Sequence, residues 1–146
     1  MPAQEDMQQG HLLPAELTDV QFIVAMEQLR VATANFHHRD HIRLAWAYLR
    51  RDNPSLAGEN LANCIRRYAT HHEVPQKYHR TITLVWVCIV AAAMRLTPAL
   101  QSFETFASAH PFLFDVRLPW TFYSAARLDS EAARAGWVEP DLHPLP

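Results

Sequence analysis

The chain has 146 residues, 49% apolar and 19% charged, with a formal net charge of −2 when its nine histidines are neutral. That suffices for one domain with a hydrophobic core and excludes a disordered chain. No surface-wide basic field exists, so nucleic acid is not expected as a partner, and the short pairs Arg50-Arg51 and Arg66-Arg67 read as solvated helix faces.

Residues 1–15 are polar and aperiodic and read as a flexible leader, leaving a single domain over 16–146. The acidic, polar start is unlike a secretory signal. The longest apolar run, Ile82 to Met94, is too short for a membrane span and is flanked by Arg80 and Arg95. A cytoplasmic protein with no membrane partner is therefore expected.

Thr18 and Gln21 form a capping-box pattern, which predicts a first helix from Asp19 to about Arg30 with Phe22, Met26 and Leu29 on one face. A second helix begins at His37 or His38 and ends by Asp52, before Asn53-Pro54. His38, His41, Ala45, Tyr48 and Leu49 share one face of it by three-and-four spacing. The histidines thus continue a buried stripe.

Ser55 is expected to cap a third helix reaching about His71, with Ala57, Leu61, Cys64, Ile65 and Tyr68 inward. His71 and His72 suit the negative end of its dipole, and Pro75 forces Val74 out of helical geometry. A fourth helix is predicted from about Gln76 to Leu96. It is apolar all round from Ile82 to Met94, the pattern of a central helix covered by others. Thr97-Pro98 starts or precedes a fifth, which carries Leu100, Phe103 and Phe106 and stops at His110-Pro111. An aromatic stretch broken by Pro119 follows, then a short helix over about Ser130 to Ala135. The tail from Glu139 holds three prolines and should be extended over the surface. The expectation is an all-α, single-domain bundle of five to six helices around a central helix at about residues 76–96.

Only three glycines occur, which excludes Walker and dinucleotide loops and the G-x-S-x-G elbow. Cys64 and Cys88 lie in apolar helical stretches and read as buried, reduced thiols.

Chemistry-bearing residues concentrate in two places. Phe36-His37-His38-Arg39-Asp40-His41 opens the second helix, and Tyr78-His79-Arg80-Thr81 opens the fourth. Helix N-termini present unpaired N–H groups and a positive potential. If the two ends meet, they form a pocket able to move protons. His38, His41 and His79 then serve as acid–base groups near neutral pH, Asp40 orients one of them or a substrate ammonium, and Tyr78 completes a relay. Phe36, Trp46, Trp86, Trp120 and Tyr123 are candidate aromatic walls for a flat organic substrate. This reading needs no cofactor. An alternative makes His38, His41 and His79 ligands of zinc or non-heme iron with an open coordination position. A third reading is a non-catalytic ligand-binding or interaction protein in which the histidines are hydrogen-bonded pins. A homodimer is a candidate assembly.

The strings F-H-H-R-D-H-I-R-L-A-W, K-Y-H-R-T-I-T and A-A-R-A-G-W-V-E-P-D-L-H-P-L-P resemble a family of small bacterial helical proteins. Its pattern is F-x-H-x-D-H before an apolar helix, then Y-H-E-T, Y-S and a P-D-L-x-P-L-P tail. The resemblance covers most of the chain from Phe36 onward and supplies a grouping more than an activity. It points to His38, Asp40 and His41 rather than His37, to Tyr78 and His79, and to Tyr123 and Ser124. Arg80 stands where the pattern has glutamate. That departure favours metal-free acid–base chemistry over a metal site. Recruitment of such proteins into bacterial natural-product pathways implies a condensation or cyclisation, such as ring closure from an aryl-ethylamine and an aldehyde.

Overall fold

Side-chain caps decide where the helices of this chain begin. In the computed structural model, which describes residues 12–146, Thr18 Oγ1 accepts from the Gln21 N–H at 3.2 Å and Gln21 Oε1 accepts from the Thr18 N–H at 2.9 Å. This reciprocal pair starts α1 (Asp19–Glu27) as expected from the sequence. The helix ends sooner than expected because Leu29 turns into the left-handed region, with φ 60°. The helix α2 spans His38–Arg51, and Asp40 Oδ2 accepts from the His37 N–H at its entry at 2.9 Å.

Two expected starts are corrected, and the fifth helix loses one expected residue. The third helix, α3, runs Pro54–His71 and is capped by Asn53, not Ser55. Pro54 sits where a missing N–H costs nothing, and Asn53 Oδ1 accepts from the Leu56 N–H at 2.9 Å. The fourth, α4, runs Arg80–Leu96, because Pro75–Lys77 forms a separate 3-10 turn and His79 caps the helix. The fifth, α5, is Phe103–Ala109, capped by Ser102, which leaves Leu100 outside it. A four-residue helix, α6 (Ala125–Leu128), was not expected; α7 (Glu131–Ala135) follows Ser130 as its cap.

Helices α2, α3 and α4 pack on one another in all three pairings, with α1 laid on α2 and α7 on α4. The core lies between them and includes Phe22, Ile42, Trp46, Tyr48, Leu61 and Val90, each almost fully buried. Gly58 permits the α3–α4 approach, since a Cβ there would lie 3.2 Å from Leu84 Cδ2. The described residues contain seven α-helices, which belong to one all-α bundle, and no strand. Cys64 is buried and Cys88 half-buried, and both thiols are free.

Both ends of the described chain dock on the bundle. Of the expected leader, residues 12–15 fall within the described structure, while residues 1–11 lie outside it. Leu12 N–H donates to Arg30 O at 3.3 Å, and Arg43 Nη1 donates to Pro14 O at 2.7 Å. At the other end the Leu142 N–H donates to Phe122 O at 3.0 Å, which holds the extended tail to the surface. Among the described residues, no helix is long and apolar enough to cross a membrane.

Candidate functional site

The entry of α2 presents three of the expected groups side by side. His38 Nε2 lies 2.9 Å from Leu113 O. A carbonyl only accepts, so Nε2 carries the hydrogen and Nδ1 keeps the lone pair in the neutral ring. The Trp86 ring meets the His38 ring edge-on, 4.8 Å between centroids. Asp40 gives one carboxylate oxygen to the His37 N–H. His41 Nε2 is sealed from solvent and has no hydrogen-bond partner. Burial, reinforced by the nearby His38, lowers the His41 pKa to about 4.

An aromatic run leads from His41 to α3. The Phe36 ring lies 6.3 Å from that of His41 and 5.2 Å from that of Tyr68, and the Tyr68 ring lies 4.4 Å from that of His72. Tyr68 Oη and His72 Nε2 are also buried without partners. Burial, and then the charge of Asp40, push the Tyr68 phenol up to about 12. Burial first and His71 second lower the His72 pKa. A cavity of about 210 Å³ opens onto this run, walled by Thr33, Phe36, Tyr68, Val74, Lys77 and Tyr78. Tyr78 also lines an open groove of about 850 Å³ with Gln76, Glu131 and Arg134.

His79 is placed differently. Its Nδ1 accepts from the Ile82 N–H at 3.1 Å, and its Nε2 donates to Leu128 O at 2.7 Å. Both ring nitrogens are therefore committed in the neutral tautomer, and burial lowers its pKa. His38, His41 and His79 are not gathered into one ligand set. Among the described residues, no group of three or more His, Cys, Asp or Glu side chains is arranged to hold a metal ion.

The expected aromatic walls also separate. Phe36 lines the cavity and Trp86 supports His38. Trp46 is buried against Phe103 and Phe106, whose ring centroid is 4.3 Å away. Tyr123 is fully buried and donates to Val138 O at 2.8 Å. Trp120 is exposed on the 3-10 turn Leu118–Thr121. Arg80 forms an ion pair with Glu59 at 2.6 Å.

Two residues of the site, Tyr68 and His72, read in sequence as core packing and as a dipole partner. Their four-residue spacing places them on one face of the third helix, which was the available signal. No protein-family model, curated protein or solved structure matches the chain.

Proposed function

We propose that the chain is a cytoplasmic small-molecule enzyme of the acid–base type, acting on an aromatic or amine-bearing substrate in the cavity between Phe36, Tyr68 and Tyr78. The observation that supports it is the partnerless, buried Nε2 of His41 beside the aromatic run that walls the cavity. A buried polar atom left without a partner costs on the order of 1–3 kcal/mol, and a ligand atom is one way to recover it.

The roles proposed are these, and of the acid–base groups Tyr78 lines the cavity itself while His38, Asp40 and His41 stand behind its Phe36 side. Asp40 is the anion for a substrate ammonium group, since only one of its oxygens is used by the His37 N–H. His38 Nδ1 is the lone pair available as a base. His41 stays neutral near pH 7 and holds a polar substrate atom. Tyr78 supplies a phenol at the cavity wall. His79 is a positioning residue, fixing the start of α4 and with it the neighbouring Tyr78.

A condensation with ring closure suits these groups. The amine nitrogen adds to an aldehyde carbon, water leaves, an aromatic carbon bonds to the iminium carbon, and a base removes the proton from that ring carbon. One amine and one aldehyde give one ring product and one water, with no redox partner. The metal-dependent alternative would require His79 to release one of its two hydrogen bonds, that of Ile82 N–H to Nδ1 or that of Nε2 to Leu128 O. A non-catalytic binding protein is the second reading, favoured by the role of His79 as a pin.

The test uses 3-hydroxyphenethylamine with acetaldehyde, followed by chiral chromatography and mass spectrometry. The expected result is an enantiomerically enriched cyclic product, lost about a hundredfold in Asp40→Asn and His38→Gln. Amine binding without turnover would move the conclusion to the binding protein. Neither binding nor turnover would overturn the site.

A further inference from the structure

Resting on the reading of this cavity as a substrate site, we infer that it takes an aromatic carboxylate, whose acid group pairs with the Lys77 ammonium while its ring packs on the apolar walls. Lys77 is the one lysine of the chain; every other cation counted with it is an arginine. The four ion pairs among the described residues all use arginine, at Arg39, Arg43, Arg51 and Arg80. Lys77 is exposed, lines the cavity and has no ion-pair partner among the described residues. Its backbone is nevertheless fixed. In the 3-10 turn Pro75–Lys77 the Lys77 N–H donates to Val74 O at 2.9 Å, and the Tyr78 N–H that follows donates to Pro75 O at 3.1 Å. Arg134 Nη1 donates to the Gln76 carbonyl between them. A pinned turn thus presents a free cation at the edge of a cavity walled by Phe36, Ile65, Ala69 and Val74.

The charges around the cavity select the ligand. No carboxylate lines it among the described residues. The Asp40 charge bears on Tyr68 from behind the Phe36 side, so it repels an acid group there and directs it to the Lys77 edge. An ammonium group at that edge meets the like charge of Lys77. A phosphate is best held by the forked donors of arginine, and no arginine lines the cavity. A single carboxylate matches a single compact ammonium. The volume of about 210 Å³ lies below the roughly 300–1,000 Å³ of sites for drug-sized ligands, which suits one substituted ring with a short side chain. The ring then supplies affinity and the ion pair supplies orientation. This adds an acid group to the substrate proposed above.

A single lysine makes the test direct, because lysine labelled with carbon-13 at Cε gives one lysine signal from this chain. The probes share a ring and a short side chain: 3-hydroxyphenylacetate, 2-(3-hydroxyphenyl)ethanol and 3-hydroxyphenethylamine, titrated at constant ionic strength. The acid should bind about fivefold more tightly than the alcohol, the upper range for a solvent-exposed ion pair. It should also move the Lys77 signal saturably, whereas acetate, which lacks the ring, should not. Lys77→Gln should abolish the preference for acid over alcohol, and Lys77→Arg should keep most of it. Should a variant fail to fold, the wild-type signal still decides. Equal affinity for acid and alcohol, an unmoved Lys77 signal at saturation, or a preference that survives Lys77→Gln would each overturn the inference. An equal response to acetate would mark a bare surface cation and overturn it too. Binding of the amine with refusal of the acid would overturn this inference alone. Binding of none of the three would remove the cavity as a substrate site and the inference with it.

Discussion

Ser124 donates twice to Asp141, from its N–H at 2.8 Å and from its Oγ at 2.5 Å. Tyr123, its neighbour, donates to Val138 O, and Arg127 Nε donates to Glu139 O. Two of the strings noted in the sequence, Tyr123-Ser124 and Pro140-Asp141-Leu142, thus lie against each other as one latch. The Ser124 hydroxyl and N–H hold the Asp141 carboxyl below the usual carboxylate range. A depressed carboxyl pKa adds stability above the unfolded value, lost as pH falls through the folded one. The latch should hold from pH 7 to about 4. Hydrogen exchange should show fast amides at Ser124 and in residues 139–146 in Asp141→Ala, and slow ones in the wild-type chain over that range.

His41 should make the fold acid-sensitive. Its folded pKa of about 4 lies below the ordinary 6.5. Between these values the unfolded chain binds a proton that the folded chain refuses, so stability falls as pH drops from 6.5 to 4. The full contribution stands above pH 6.5. At about 1.4 kcal/mol per unit the loss is on the order of 3 kcal/mol. His72 and His79, also lowered by burial, add to it in the same direction. Urea unfolding at pH 7, 5.5 and 4 should show a shallower pH slope in His41→Gln; equal slopes would contradict this account.

Tyr68→Phe should be as stable as the wild-type chain or more stable. The hydroxyl is buried and makes no hydrogen bond, so its removal relieves a desolvation cost of about 1 kcal/mol without creating a new orphan. A rise in Tm would show that the unpaired hydroxyl is a net cost to the fold. A clear fall in Tm would show that Tyr68 Oη has a structural partner.

His79→Ala should be costly. It removes the cap on the Ile82 N–H and strands the Leu128 carbonyl. A lost cap costs about 1 kcal/mol and an unsatisfied buried acceptor a further 1–3 kcal/mol. His79→Asn can still cap through its shorter side chain but should not reach Leu128. The urea midpoint should therefore order wild type, then Asn, then Ala. Equal midpoints for Asn and Ala would mean that the Leu128 bond dominates.

What the sequence made legible was whatever local partners decide. Thr18 and Gln21 cap each other within one turn, and the Asn53-Pro54 break bounds α2, so both were readable. The start of α4 was not. Pro75-Gln76-Lys77 has the composition of a helix entry, and a carbonyl far along the chain, that of Leu128, engages His79 as the cap instead. Leu29 ends α1 in a left-handed conformation with no glycine to announce it. Of the proposed site, His38, Asp40 and His41 could be grouped from sequence because they share one helix start. The contact of Tyr68 and His72 with this cluster could not be read, since it depends on Phe36 arriving from another segment. Tyr78 reached the cavity wall, while its neighbour His79 turned into the helix cap.

The first turn of α4 and the 3-10 turn before it are held in part by residues synthesised long after them. His79 waits for Leu128, Thr81 Oγ1 donates to Gly136 O at 2.7 Å and accepts from the Val138 N–H at 3.2 Å, and Gln76 O accepts from Arg134 Nη1 at 3.1 Å. On a ribosome, the central helix therefore leaves the exit tunnel with its leading turn unfastened. Tyr78, adjacent to that turn, also borders Glu131 and Arg134 in the open groove, contacts that form only when the segment beyond Leu128 has followed. The cavity wall is completed by the end of translation, so a chain truncated before Leu128 should hold the aromatic run from His41 to His72 without a fixed Tyr78 beside it.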